Sequence, residues 1–288
     1  MKIQGGCVDD ICLWVEDEPE FVLGEKALLF LNNEGKAKHF IVNSRFQGKY
    51  TIEGNITINK ELNRNISVDG FINAIQQRNK KITYDVEDSL KGNVGINSAT
   101  ASSSCYVYSG YKWAPQNWGV KVPFYKNNNL NNLPGDWNTA INKGAGAWNG
   151  AAQFTFLNYG RTSKSCYSQD GYNTVCYTDD LGGCGQGATV AQARIWLKYS
   201  WFGAIVEADM KFNDKCDWYA GTDNPCNKFD VWNVATHEFG HWLKLNHPND
   251  IGQQCNQESM WSGTSPGETL RRDIYDGDLA GIRYLYGQ

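Results

Sequence analysis

An α+β fold, with a small β-rich domain ahead of a larger mixed domain, is the architecture that this 288-residue sequence predicts. Three observations lead there. Strand-like and helix-like segments segregate rather than alternate as βαβ units, a stretch without aromatic residues interrupts the chain before Cys105, and three of the four histidines crowd into residues 237–247. In chain order, Ile11–Glu16, Lys26–Asn32, Lys38–Asn43 and Lys49–Lys60 carry strand patterning, the last turning at Gly54-Asn55. Val68–Lys80 carries a short helical pattern, so residues 1–84 are expected to form the small domain. Asp85–Ser104 lacks apolar periodicity and reads as a linker. Within 105–288, Tyr106–Trp113 and Val120–Tyr125 read as strands. Asp136–Asn149 reads as a helix whose Trp137, Ile141, Ala145 and Trp148 share one face, a core stripe. Ala188–Lys198 and Ala204–Phe212 read as further strands, Val231–Leu243 as a helix, and Leu279–Tyr286 as a closing helix stopped by Gly287.

Composition excludes two classes of function. Lys and Arg number 27 against 31 Asp and Glu, a net charge of −4, so there is no basic stripe to displace counterions from a nucleic acid. No apolar run approaches the roughly 18 residues that a membrane-spanning helix requires. Nine cysteines point to an oxidising compartment and hence to secretion. Because Met1–Asp10 carries no apolar signal region, the chain is read as a mature form, an expressed piece of a longer protein or a truncated gene product. The separations Cys166–Cys176 and Cys216–Cys226 suit local disulfides, and the odd count leaves a thiol over.

The chemistry concentrates in HEFGHWLKLNH at 237–247. On a helix, His237 and His241 are four residues apart, about 400° of rotation, so both imidazoles share a face and can hold one cation. Zn²⁺ accepts neutral imidazole nitrogens, and a catalytic zinc keeps three protein ligands and an open position for water. Glu238, beside the first ligand, suits a general base rather than a ligand. A continuing helix would carry His247 to the far side, so the helix must end first, with a reversal near Lys244 at positive φ. That conformation costs about 1–2 kcal/mol for a residue with a side chain. Asn246 tolerates it better and could share the turn. Two alternatives stand beside this reading: a zinc peptidase whose third ligand is Glu258 or Glu268, and a non-catalytic secreted binding module stabilised by zinc.

These residues resemble the zinc helix of the metzincin peptidases, and HEFGH with DGDLAGIRYLYG downstream is most similar to the matrixin branch. The likeness runs over roughly Cys105–Gln288, with YSGYKW and VPFY similar to the entry strands and VEADMKFND to the strand before the helix. It implies a twisted mixed sheet, an active-site helix, a methionine turn and a C-terminal helix. It also implies a zinc endopeptidase acting on proteins or peptides, with His237, His241 and His247 on one zinc, Glu238 as base and Met260 beneath the metal. The family's substrate lies antiparallel to an edge strand, here within about Thr189–Leu197. Lys244 replaces the family's usual glycine. No cysteine carries the Arg and Pro flanks of the matrixin inhibitory segment, so Cys7 is read as pairing with Cys12. With only His39 left over, a second zinc is not expected, and His39 is read as structural. DDLGG at 179–183 resembles the family's calcium loop, which would draw oxygen ligands from Asp179, Asp180 and Asp214.

Overall fold

The computed structural model describes residues 104–108, 110–114, 119–185, 187–198 and 204–287, with strand segments at 6–8, 11–15, 27–29, 31–32, 41–42, 49–53, 56–59 and 64–67. The chain divides into two compact units, one of Met1–Gln4 and Asp17–Thr100, the other of Gly5–Glu16 and Ala101–Gln288. The smaller unit holds a four-stranded antiparallel sheet in the order Ala27–Leu29, Lys49–Glu53, Ile56–Asn59, Arg64–Ser67. Glu53 pairs with Ile56, as a strand pair hinged at Gly54-Asn55 requires. The helix expected at Val68–Lys80, the linker as far as residue 103, and His39 lie outside the described residues.

In the larger unit we label strands β1 (Gly6–Val8), β2 (Ile11–Val15), β3 (Val107–Tyr108), β4 (Lys112–Trp113), β5 (Val120–Asn127), β6 (Phe154–Thr162), β7 (Thr174–Thr178), β8 (Ala191–Lys198), β9 (Ala204–Asn213) and β10 (Leu245–Asn246). The helices are α1 (Trp137–Trp148), α2 (Val231–Trp242) and α3 (Asp276–Tyr286). The central sheet runs β1-β2-β8-β9-β7-β5-β6, with β4 also beside β9. β5, β6, β7 and β9 are parallel, whereas β8 is antiparallel to β9 and β2 is antiparallel to β8. The mixed sheet, the helix that carries His237 and His241, and the C-terminal helix are those the resemblance implies. The connection β5–α1–β6 carries a helix between neighbouring parallel strands.

Two differences from the sequence reading have physical causes. Patterning groups Ile11–Glu16 with residues 1–84, but β2 pairs with β8 from Val15–Arg194 to Ile11–Lys198, so Gly5–Glu16 clusters with the larger unit. Such pairing across nearly two hundred residues leaves no local periodicity. Likewise β6 and β7 escape detection, because β6 ends in the polar run Asn158–Thr162 and β7 is only five residues among loop-forming neighbours.

Disulfides join Cys105 to Cys255, Cys166 to Cys176 and Cys184 to Cys216. The Cys216–Cys226 pairing expected from spacing is therefore corrected: Cys216 takes Cys184, and Cys226 is an exposed free thiol. Spacing misleads here because β9 turns Cys216 back toward the Cys184 loop. In β1 and β2, Cys7 and Cys12 stand directly opposite each other.

The helices pack on the sheet by close contact. Gly144 of α1 approaches α2 so nearly that an added Cβ would stand 2.6 Å from the Ala235 Cβ. Trp148 donates its indole N–H to the Thr236 carbonyl at 2.8 Å, and Phe239 packs against Phe124 and Phe156 of the sheet. At the other end of α2, Trp242 donates to the Asp209 carbonyl of β9 at 3.2 Å. These tethers fix the helix that carries the first two histidines.

Candidate metal centre

Helix α2 starts where Asp230 caps it, accepting the Asn233 N–H at 2.7 Å, and Asp230 is held in turn by Arg272 at 2.5 Å. It stops where the sequence expects a reversal. Lys244 takes φ = 66°, its N–H donating to the His241 carbonyl at 2.7 Å. Asn246 does not share the turn. It lies in β10, which pairs with β3 through Leu245–Tyr108 and Asn246–Val107, and this short ladder delivers His247.

The three imidazoles converge. The Nε2 atoms of His237, His241 and His247 are each 3.1 Å from the other two. Among the described residues this is the one group of three or more His, Cys, Asp or Glu side chains whose ligand atoms gather closely enough to hold a metal ion. His237 Nδ1 lies 2.6 Å from the Ser259 carbonyl, and His241 Nδ1 lies 2.8 Å from the Leu245 carbonyl. A carbonyl only accepts, so both Nδ1 atoms carry the proton and both Nε2 atoms present lone pairs. Two lone pairs 3.1 Å apart repel unless a cation lies between them. Three imidazole nitrogens this close together are a donor set that zinc would accept, with His237, His241 and His247 as the residues that would hold it.

Glu238 is buried, at 2% exposure, on the turn of α2 that carries His237. Met260 is buried at 1% and runs under Gly240, where an added Cβ would stand 2.1 Å from the Met260 sulfur. The motif therefore has glycine between its histidines so that the methionine can pass beneath them.

The sequence reading missed the support of this floor. Asp278, in the first turn of α3, accepts the N–H groups of Ser259 at 2.6 Å, Met260 at 3.2 Å and Tyr275 at 3.1 Å. Glu258 accepts from the backbone of Gly277 and Asp278, both at 3.0 Å. Ser259 is thus held by Asp278 from one side while its carbonyl orients His237 from the other. Burial pushes the Asp278 carboxyl up to about 7, the backbone donors opposing this shift and the neighbouring Glu258 charge adding to it. The available signal was DGD at a predicted helix start, where acidic residues are usually explained by the helix dipole alone.

The three candidates for a third ligand are placed differently. Glu258 is engaged with the start of α3, and Glu268 pairs with Arg271 and accepts the Thr264 hydroxyl at 3.4 Å. His247 is the residue that completes the triangle. The carboxylates of Asp179, Asp180 and Asp214 do not converge. Asp180 takes the Lys211 ammonium at 2.6 Å and the Thr178 hydroxyl at 2.6 Å, while Asp214 takes Lys215 at 2.9 Å.

A family model described as matrixin matches residues 112–287, more than half of the chain. Among curated proteins no match was found.

Proposed function

Since the chain belongs to the matrixin family of metzincin-type zinc metallopeptidases, we propose that it is a secreted endopeptidase whose His237, His241 and His247 hold the catalytic zinc and whose Glu238 is the general base. The observation that carries the reading is the convergence of three Nε2 atoms, each 3.1 Å from the other two, with the Nδ1 atoms of His237 and His241 set against backbone carbonyls. Bound zinc supplies a Lewis acid that lowers the pKa of water and polarises a peptide carbonyl. The rest falls to the chain. The Ser259 and Leu245 carbonyls hold two imidazoles in the ligating tautomer, which lowers the cost of orienting them when the metal binds. The Glu238 carboxylate takes the proton of the attacking water and returns it to the leaving amine nitrogen. Burial at 2% suits that task by holding the group away from bulk solvent.

Secretion is supported by three disulfides among the described residues, a chemistry of oxidising compartments. Among the described residues no helix is long and apolar enough to cross a membrane.

The test is cleavage of an unfolded protein together with metal analysis. A chelator abolishes cleavage, and Glu238→Ala keeps stoichiometric zinc while losing about 10²–10⁴-fold in rate. Undiminished cleavage by that variant removes Glu238 from the role.

A further inference from the structure

β8 is the outermost strand contributed by Ala101–Gln288, and its outer edge is covered by the chain's own N-terminal segment. The sheet links that edge to the helix that carries His237 and His241. Trp242, next to His241, touches Asp209 of β9; Asp209 pairs with Arg194 of β8; and Arg194 pairs on its other side with Val15 of β2. Neighbouring strands are about 4.8 Å apart, so β2 is the second strand out from the one that touches the metal helix. β8 itself also packs on α2.

An extended peptide recognised by its backbone adds to such an edge, using a row of N–H and C=O groups whatever its sequence. Along Arg194–Lys198 that row is the one β2 uses. Val15 pairs with Arg194, Trp14 with Ile195, Leu13 with Trp196, Cys12 with Leu197 and Ile11 with Lys198. The direction is antiparallel, and Val15, which pairs with Arg194, is buried. We propose that β2 is a built-in competitor of the substrate: Ile11–Val15 occupies the backbone edge on which an extended peptide would pair, so the β1–β2 hairpin controls access to the metal centre. The inference rests on the peptidase reading above for the identity of the competing ligand.

Its strength follows from population arithmetic. If the hairpin covers the edge 90–99% of the time, the apparent affinity for peptide falls by about 10–100-fold. Two full-length variants move the hairpin in opposite directions. In Leu13→Pro/Trp14→Pro, consecutive residues lose their N–H groups; successive strand N–H groups point to opposite edges, so one of the two faces β8 in either register, and the hairpin is released. In Val15→Cys/Arg194→Cys, directly opposed residues about 4.5–5.5 Å apart are bridged and the hairpin is locked, with Val15→Ser/Arg194→Ser as its control.

The probe is fluorescein-labelled oxidised insulin B chain, titrated by anisotropy into zinc-loaded proteins carrying Glu238→Ala, which stops turnover. The expected result is binding about tenfold or more tighter in the released variant and at least tenfold weaker in the locked variant than in its serine control. In the active background the released variant lowers KM with kcat unchanged. Equal titrations across all variants, including no binding by any, overturn the proposal. Glu238-dependent cleavage by the unmodified chain is scored separately: its presence with equal titrations sinks the competitor alone, and its absence with hairpin-controlled binding sinks the peptidase reading alone.

Discussion

The histidine triangle and the acidic segment around Asp179–Asp214 both carry residue types that bind ions, yet they fold to opposite outcomes. In the first, three neutral ligands meet at 3.1 Å, two of them with their lone pairs fixed inward by carbonyls behind them. In the second, the protein brings its own cations: Lys211, 1% exposed, gives its ammonium to Asp180 at 2.6 Å, and Lys215 gives its own to Asp214 at 2.9 Å. Lys211 also stands 3.9 Å over the Tyr167 ring, a second partner for a charge taken out of water. The contrast separates ligand atoms that converge from ion-binding residue types that do not. What distinguishes the triangle is ligand atoms pressed together with their protons directed elsewhere; carboxylates already answered by ammonium groups lack that tension.

The largest effect that can break the contrast is on the triangle. His247→Ala leaves two ligands on α2, and zinc affinity falls by more than about a hundredfold, beyond what loss of a group merely orienting a ligand costs. Competition with a chelator of known affinity measures it. Retention of zinc at the unmodified affinity would show that the third ligand lies elsewhere. A smaller effect is expected from Lys211→Met, which leaves Asp180 charged and without its ammonium partner. Because Asp180 is partly solvated, at 37% side-chain exposure, the loss of stability is about 1–3 kcal/mol, below that of a fully buried pair. Denaturant unfolding of the zinc-loaded chain reads it. An unchanged midpoint would mean that Lys211 is not what satisfies the acidic segment, and the contrast would fail on that side.

How much of this was legible in the sequence depends on the range of each interaction. The spacing of His237 and His241 is read on one helix, and the requirement that the chain turn before His247 follows from helical geometry, which is why Lys244 could be singled out before its φ of 66° was seen. Three helices were legible because their apolar stripes and caps are local; Asp136 and Asp230 each accept an N–H three residues on. The floor of the site was not, since Asp278 reaches Ser259 across nineteen residues and no periodicity records it. Nor was the partner of Cys216, or the addition of β2 to β8, because strand pairing between distant segments has no local signature. The pairing of the acidic loop with Lys211 is not legible for the same reason: that ammonium sits thirty-one residues from Asp180, on another strand.

The smallest effect, and the sharpest on the triangle's own construction, concerns the turn. Lys244 holds a left-handed conformation that costs about 1–2 kcal/mol for any residue with a Cβ. Replacing it by glycine removes that cost, but also removes a side chain that is 1% exposed, so the single variant mixes two effects. Comparing Lys244→Gly with Lys244→Ala separates them. Both lose the long side chain and its contacts, and they differ in the Cβ that the positive φ opposes. Alanine gains from a less disordered unfolded state, yet at this φ the strain outweighs that gain, so the glycine variant is expected to be more stable by about 1 kcal/mol. Equal unfolding midpoints would mean that the backbone relaxes in one or both variants, and that coordination of His247 does not depend on holding residue 244 at this angle. A glycine advantage confined to the zinc-loaded form would instead place the strain in the metal-bound turn, where the third histidine is pulled into its triangle.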